Sequence, residues 1–217
     1  IVYDPRPEAT AELEHLGAAR APDLASLARA ARVTLLSLPN ESVVEAVVLG
    51  SSEVPGLLAG ARTGDVVFDL STVSPESTRR LAARGSERGV RLIDAPVSGS
   101  VSGARAGTLA VMIGADADTL APYEPVFSAI GAHLFPLGEL GRGNILKLLN
   151  NYVALTNQAV LCEAMAMADR LGVSRQPLSE ALARLAEERL VTVEPQKGTY
   201  VTRIRMNDVA VIILDEA

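Results

Sequence analysis

Hydrophobic runs and amphipathic stretches alternate along the first two thirds of the chain. Residues 33–39 (V-T-L-L-S-L-P) and 65–71 (D-V-V-F-D-L-S) are short and apolar, as expected for buried strands, and the stretches after them predict helices. Strands that alternate with helices in this way indicate a parallel sheet with crossover helices. The other predicted strands are 1–4, 91–97, 108–113 and 132–137, and the other predicted helices are 7–16 and 116–130.

Two of these helices begin with residues that cap helix N-termini. The side-chain oxygen of Asn40 can accept from a free N–H of the first turn, and Glu41 suits the positive end of the helix dipole. Ser74 is a cap of the same kind, and Pro75 at the first helical position loses no hydrogen bond. Residues 65–75 therefore predict a strand, a turn and the start of a helix.

Residues 143–171 predict one long helix, because this stretch holds no proline and no internal glycine. Apolar residues occupy much of its circumference, so we expect it to be largely buried. Lys147, Asn150 and Asn151 interrupt this surface and, at spacings of three and four, converge on one patch. On spacing alone, a solvated lysine beside an interhelical amide contact explains this patch as well as a catalytic site does.

Composition narrows the class of protein. With 217 residues, 48% of them hydrophobic, the chain can bury one full core and a small appendage. A net charge of -6 gives no electrostatic reason to bind nucleic acid or an anionic membrane, and no apolar run approaches about 20 residues. We expect a cytoplasmic protein without a leader or membrane association.

Cysteine and histidine carry no predicted chemistry. One cysteine, Cys162, excludes a disulfide or a cysteine-based metal site within the chain, and we expect it to be buried. His15 and His133 lie outside every motif, and His133 is expected in the core. No metal site is predicted.

Four motifs occur in order: V-Y-D-P-R-P-E-A at 2–9, D-L-S-T-V-S-P at 69–75, D-A-P-V-S-G-S at 94–100 and G-R-G-N-I-L-K-L-L-N-N at 141–151. Together they resemble the β-hydroxyacid dehydrogenase family, which includes 3-hydroxyisobutyrate dehydrogenases and tartronate semialdehyde reductases, over about residues 1–173. The resemblance implies an NAD(P)-dependent oxidoreductase that transfers hydride between nicotinamide and a small 3-hydroxy acid or its semialdehyde.

The resemblance also implies roles at the substrate. Lys147 matches the catalytic general acid/base, and Asn151 matches the residue that orients the substrate, with Asn150 a weaker candidate beside it. Ser98 and the backbone N–H of Gly99 match the loop that holds the substrate carboxylate. Gly99 taken alone is more often a simple turn glycine.

The cofactor is expected to be NAD or NADP. Asp4 matches the acidic residue that holds the adenosine ribose of NAD, while Arg6 nearby leaves NADP open. Thr72 and the pair Leu38 and Pro39 match positions that line the nicotinamide end. For Leu38 and Pro39 a plain strand terminus is an equally good explanation.

The family normally opens with a strand and a G-x-G-x-x-G turn that binds pyrophosphate. This sequence starts at the family's second strand, so we expect the first strand and phosphate loop to be absent, cofactor binding to be weak or absent, and activity to be impaired. The gap favours self-association as a homo-oligomer, or partial disorder. Residues 209–214 are a candidate strand to fill it, although in the GntR pattern they would start a linker or helix. Ser100 stands where the family has a second glycine.

The C-terminal part predicts a helix over 174–189 and strands over 190–194 and 199–204. It resembles the recognition helix and wing of GntR-type winged helix-turn-helix regulators over about residues 163–215. That resemblance implies DNA contacts by Arg175, Lys197 and Gly198. However, residues 172–217 hold six basic and seven acidic side chains, so a helix and hairpin without a DNA role is as good an interpretation.

The predicted fold class is α/β. We expect an incomplete Rossmann-like doubly wound sheet as the NAD(P)-binding domain at 1–140, a long interdomain helix at 141–171, and a small GntR-like α+β tail at 172–217. Two functions stay open: the dehydrogenase, with a small hydroxy acid or semialdehyde as its substrate, and a GntR-like DNA-binding transcription regulator with a dehydrogenase-like sensor or scaffold.

Overall fold

The computed structural model describes residues 1–172, 177, 180, 181, 183, 184, 191–194 and 198–201. The chain divides into two units, Ile1–Leu149 and Asn150–Ala217. The first unit holds the α/β part. The second holds most of one long helix and a two-stranded hairpin.

Three parallel strands form the first sheet, in the order β1-β2-β3. Its register pairs Leu36 with Asp69 and Asp69 with Asp94, so the three strands end at the same level. The loops that follow them therefore meet along one edge of the sheet, where parallel α/β sheets bind ligands. The strands are β1 (Val33–Leu36), β2 (Val66–Asp69) and β3 (Arg91–Asp94).

A second sheet continues from the end of β3. The N–H of Gly114 donates to the Asp94 carbonyl at 2.8 Å, and that of Met112 donates to the Pro96 carbonyl at 2.9 Å. The predicted single strand 91–97 is divided, because Pro96 has no N–H to donate to a ladder. The second sheet has the order β4-β5-β6, with β4 (Val97–Ser98) antiparallel to β5 (Leu109–Ile113) and β6 (Gly131–Pro136) parallel to it.

Both predicted helix caps are confirmed. Asn40 accepts from the N–H of Val43 at 3.0 Å, and Ser74 accepts from the N–H of Ser77 at 3.1 Å. The helices are α1 (Ala11–His15), α2 (Leu24–Ala30), α3 (Glu41–Leu49), α4 (Leu57–Gly60), α5 (Pro75–Ser86), α6 (Ser100–Ala106), α7 (Ala117–Leu120), α8 (Glu124–Ser128) and α9 (Arg142–Arg170), with one-turn 3-10 helices at Pro7–Ala9 and Ala121–Tyr123.

Two hydrophobic clusters form the core. One includes Val67 of β2 and Leu81 of α5, and the other is built around the wholly buried Phe68. The Phe68 ring meets those of Phe127 and Tyr123 edge to face, with centroids 4.9 and 5.1 Å apart. Adjacent residues of β2 therefore serve opposite clusters, as the strand's alternation requires.

Besides the divided strand 91–97, three predicted elements differ from the structure. The helix predicted at 116–130 is divided into α7, a 3-10 turn and α8, since Pro122 and Pro125 have no N–H for a helical bond. The helix predicted at 7–16 is a 3-10 turn followed by α1. The strand predicted at 1–4 is reduced to one parallel bridge between Val2 and Arg20. Among the described residues, the segment forms backbone hydrogen bonds to residues 19–21 only.

The long helix α9 is confirmed, but its predicted burial is wrong. Among its residues in the described part of the chain, Gly143 and Asn144 are buried, and the apolar side chains after them are half-buried or exposed. The prediction from the apolar pattern required another element to pack along the whole length of the helix. Cys162 and His133 are likewise exposed rather than buried. Within the described part, no helix is long and apolar enough to cross a membrane.

The C-terminal hairpin is confirmed where the structure describes it. Strands β7 (Val191–Glu194) and β8 (Gly198–Val201) are antiparallel, and Gly198 is the first residue of β8. Arg175, Lys197, most of the predicted helix 174–189 and the run 209–214 lie outside the described residues.

Candidate functional site

The loops after β1 and β2 are tied together at the carboxyl edge of the first sheet. The N–H of Leu38 donates to the hydroxyl of Ser71 at 2.9 Å. Thr72, the next residue, is exposed to solvent. Leu38 and Thr72, predicted at the nicotinamide end of a cofactor, therefore lie in adjacent loops.

An open groove of about 1280 Å³ runs from the N-terminal segment to the end of β1. It is lined by Asp4, Leu38 and Pro39, three of the predicted cofactor residues, together with Tyr3 and the apolar side chain of Leu36. Thr72 does not line it. The groove brings the predicted ribose-binding carboxylate onto the same surface as the loop after β1.

Asp4 is held by its neighbours in an ionised form. The N–H of Arg6 donates to its carboxylate at 2.9 Å, and the Arg6 guanidinium lies 3.2 Å away. These bonds hold the pKa of Asp4 below its usual value. The side chain of Arg20 donates to the Asp4 carbonyl at 3.3 Å, which fixes the backbone at this point.

The predicted carboxylate loop begins at the end of β4. Ser98 and Gly99 are half-buried, and Gly99 has a φ of 143°, which favours glycine. Ser100 has a φ of 61° although it carries a side chain, and its hydroxyl lies 2.9 Å from that of Ser102. The turn into α6 therefore contains a strained serine at the position where the resembled family has glycine.

Replacing Ser100 with glycine is expected to stabilise the protein by about 0.5–1 kcal/mol, since glycine adopts a positive φ without a Cβ clash. Ser102→Gly is the matched control, because it removes the same hydroxyl contact from within α6 and should destabilise. Urea unfolding of both variants measures the two effects. If Ser100→Gly is no more stable than Ser102→Gly, the φ strain is not significant.

The first turn of α9 is anchored by two buried polar residues that sequence analysis did not single out. Asp94, wholly buried, accepts from the N–H of Gly141 at 2.8 Å and from that of Asn144 at 2.9 Å. The wholly buried side chain of Asn144 donates to the hydroxyl of Thr78 at 2.9 Å. An aspartate at the end of a buried strand must find donors, and this was the available sequence signal.

Lys147 follows this anchored turn on α9 and is half-buried. Asn150 and Asn151 also belong to α9 and are half-buried, but they fall in the second unit. No group of His, Cys, Asp or Glu side chains suited to a metal ion occurs among the residues that the structure describes.

Asp69, next to Asp94 in the sheet register, is buried with its carboxylate bonded to the N–H of Ser71 at 3.0 Å. Burial raises its pKa, and the charge of Asp94 acts in the same direction. The folded protein therefore retains a proton on Asp69 at pH values where the unfolded chain has lost it. The stability from this group is lost as pH rises from about 4 through the raised pKa.

We expect Asp69→Asn to remove this pH dependence, because the amide oxygen still accepts from Ser71 and carries no charge. The variant should be more stable than the parent above the raised pKa, and the difference should close near pH 3. Asp116→Asn is a control of opposite sign, since the bond from the Thr119 N–H lowers the pKa of exposed Asp116. Urea unfolding midpoints across pH test this, and parallel curves for Asp69→Asn and the parent would contradict it.

Comparison with known proteins gives two family matches. Residues 1–138 match the NAD binding domain of 6-phosphogluconate dehydrogenase, and residues 155–201 match the bacterial regulatory proteins of the gntR family. The second match confirms the predicted GntR resemblance over a somewhat different range.

Three proteins illustrate the first similarity. The 2-(hydroxymethyl)glutarate dehydrogenase of Eubacterium barkeri is 36% identical over 158 residues, covering 73% of this chain and 52% of that enzyme. The NAD-dependent L-serine dehydrogenase of Pseudomonas aeruginosa is 36% identical over 183 residues, covering 84% and 60%. The solved structure of Mycobacterium tuberculosis 3-hydroxyisobutyrate dehydrogenase with L-serine is 33% identical with a TM-score of 0.72, covering 85% and 60%.

The chain thus spans between about half and three fifths of the length of these relatives. The match over residues 1–138 covers more than half of the 217-residue chain, and the α/β architecture agrees with the solved relative. The chain therefore belongs to the family of the NAD binding domain of 6-phosphogluconate dehydrogenase, and its homologues include 3-hydroxyisobutyrate dehydrogenases.

Proposed function

We propose that the chain takes part in NAD(P)-dependent oxidation of a small 3-hydroxy acid, or in reduction of the matching semialdehyde. The relatives are named for 2-(hydroxymethyl)glutarate, L-serine and 3-hydroxyisobutyrate. All three molecules carry a CH₂OH group on the carbon that bears a carboxylate. The proposed substrate class is therefore a carboxylate with a hydroxymethyl group at its α-carbon.

The observation that carries this proposal is the anchored start of α9. Its first turn is bonded to Asp94, at the end of β3, and to Thr78 of α5. Lys147 lies one helical turn beyond this anchor, and the carboxyl edge of a parallel sheet is the usual place for a ligand. A half-buried lysine on a fixed helix suits a group that takes and returns one proton.

In the proposed site, Lys147 accepts the hydroxyl proton during oxidation and returns it during reduction. Ser98 and the N–H of Gly99 hold the substrate carboxylate, since a hydroxyl and a backbone amide in a tight turn suit an anion. Asn151 orients the substrate hydroxyl, and Asn150 supports it. These roles come from the family resemblance together with the residue chemistry.

The groove, which is also lined by the edge strand β1, offers residues suited to the adenosine end of a nicotinamide cofactor. Asp4 is ionised and lines the groove, so its carboxylate can accept hydrogen bonds from ribose hydroxyls. Leu38 and Pro39 offer an apolar wall at the other end, with Thr72 in the adjacent loop. When bound, the nicotinamide supplies the hydride acceptor or donor. Arg6, which lies beside Asp4, keeps NADP as an alternative to NAD.

Titration with NADH and NADPH, followed by nicotinamide fluorescence, tests the proposal. We expect the binding of NADH to depend on Asp4, because its ionised carboxylate lines the groove. Asp4→Ala should therefore weaken the binding of NADH. No binding of either nucleotide at millimolar concentration would remove the enzyme hypothesis for this chain.

The match over residues 155–201 and the β7–β8 hairpin favour a second candidate function, DNA binding by the C-terminal part. The balance of six basic and seven acidic residues over 172–217 argues for low affinity. A gel shift with mixed-sequence DNA at low salt tests it, with Arg175→Ala and Lys197→Ala as variants. A flat titration at low salt would remove this function.

A further inference from the structure

We propose that Asp94 is a positioning residue for Lys147. Its carboxylate fixes the first turn of α9 against the ends of the strands, and this sets where the lysine ammonium lies. The inference rests on the proposed function, in which Lys147 is the general acid/base. Asp94 would then affect the reaction only through the position of Lys147.

Both oxygens of Asp94 are committed to the start of α9. One accepts from the N–H of Gly141 at 2.8 Å, and the other accepts from the N–H of Asn144 at 2.9 Å. Gly141 immediately precedes α9 and Asn144 is in its first turn, so neither N–H has a partner within the helix itself. A wholly buried carboxylate in this position also meets the positive end of the dipole of a 29-residue helix.

The turn is also closely packed against the end of β3 and the strand beside it. A Cβ on Gly143 would clash with the Met112 carbonyl oxygen and lie 2.8 Å from an Asp94 oxygen. A Cβ on Gly114 would clash with the other Asp94 oxygen. Glycine at both positions therefore lets α9 and the backbone just after β5 approach the carboxylate directly, so a shift of the turn would break these contacts.

Asn144 holds the same turn from the opposite side. Its side-chain amide donates to the Thr78 hydroxyl at 2.9 Å, and its oxygen accepts from the N–H of Val73 at 3.4 Å. Asn144 is thus bonded through its backbone to β3 and through its side chain to α5 and the loop before it. Four hydrogen bonds fix the turn in register and in rotation.

The helix transmits this fixed geometry to Lys147. Lys147 lies three residues after Asn144 and four after Gly143, so it occupies the same face one turn further on. A catalytic group must be held within about 0.5 Å of its productive geometry, and a misplacement of about 1 Å can cost about 10²-fold in rate. Loss of the Asp94 bonds should therefore affect Lys147 more than it affects cofactor binding.

The chain has two lysines, Lys147 and Lys197, which makes a direct measurement possible. In protein labelled with ¹³C-lysine, the signal absent from Lys147→Ala identifies Lys147. Its titration is then recorded by NMR in the parent, in Asp94→Asn and in Asp116→Asn. Asp116 caps helix α7 by accepting from the Thr119 N–H, so its variant removes a capping carboxylate that is bonded to α7 and not to α9.

We expect the titration midpoint and line width of Lys147 to change in Asp94→Asn and to stay unchanged in Asp116→Asn. A folded Asp94→Asn protein with the parent's Lys147 titration would overturn the proposal. Thr78→Val is the second variant, because it loosens the same turn without changing any charge. It should change the Lys147 titration by part of the effect of Asp94→Asn. This change cannot come from the loss of a charge, so it reports displacement of the lysine. Thr78→Val also tests the positioning role if Asp94→Asn does not fold.

The outcome separates this inference from the proposed function, since the NMR measurement needs no turnover. A Lys147 signal that follows Asp94 in a protein without activity supports the positioning role and contradicts the function. In an active protein, Asp94→Asn should lower kcat by about 10²-fold, displace the kcat–pH profile and leave KM for the cofactor unchanged. A loss of active fraction with an unchanged pH profile would indicate a merely structural residue.

Discussion

Replacing Lys147 with alanine is expected to reduce turnover by about 10²–10⁴-fold, the usual contribution of a general acid/base. Without the amine, no group in the proposed site takes the hydroxyl proton as hydride leaves the same carbon. Initial rates with NAD⁺ and 3-hydroxyisobutyrate or L-serine, followed by nicotinamide absorbance, measure the loss. Lys147→Arg should lose as much, because the guanidinium keeps its proton at working pH.

Leu148→Ala is the matched control for this series. Leu148 is the next residue of α9 and its side chain is 43% exposed, so its truncation should leave both the fold and the rate close to those of the parent. Circular dichroism confirms that each variant is folded. If Lys147→Ala keeps more than a tenth of the parent rate, Lys147 is not the acid/base.

Replacing Phe68 with alanine is expected to lower the free energy of unfolding by about 3–5 kcal/mol. Phe68 is wholly buried on β2 and meets Phe127 and Tyr123 edge to face. Alanine leaves a cavity between the sheet and α8, which the surrounding backbone can fill only in part. Urea unfolding followed by circular dichroism measures the change.

Phe135→Ala controls for the loss of a phenyl group as such. Phe135 is on β6 and is 45% exposed, so it should lose about 1 kcal/mol or less. The two variants differ in burial rather than in the group removed. Equal losses for Phe68→Ala and Phe135→Ala would mean that the cluster around Phe68 does not form.

Features with a local cause were predictable from the sequence. The strand cores at 33–39 and 65–71 follow from short apolar runs, and the caps at Asn40 and Ser74 follow from side-chain reach within one turn. The length of α9 follows from helix propensity alone. Each of these needs information from only a few neighbouring residues.

Features that depend on distant partners were not predictable in the same way. The prediction that α9 is buried was wrong, because an apolar helix surface does not indicate which other element packs against it. The prediction that His133 lies in the core was wrong for the same reason. The role of Asp94 required the knowledge that Gly141 and Asn144, some fifty residues later, return to the end of β3. A strand end and a helix start give no sign of their pairing until the topology is known.

The candidate site also combines residues that the sequence predicts with features that depend on the fold. Lys147, Ser98 and Asn151 were predicted from the family resemblance of their motifs. The groove that Asp4 and Leu38 both line is visible only in the three-dimensional structure. Their roles stay proposals that the variants above test. The hydrogen bond from Leu38 to Ser71, which links two loops, has no sequence signature of its own.

The strand β1 determines how the stability of this chain should be measured. It is the outer strand of the first sheet and has no neighbour on that side within the described part of the chain, and Leu35 is 36% exposed. On heating, partly unfolded molecules that still expose this edge can pair with one another before they refold. We therefore expect an irreversible thermal transition whose apparent Tm depends on the scan rate. Urea titration of dilute protein therefore ranks variants by equilibrium stability, whereas calorimetric scans would rank them by their rate of precipitation.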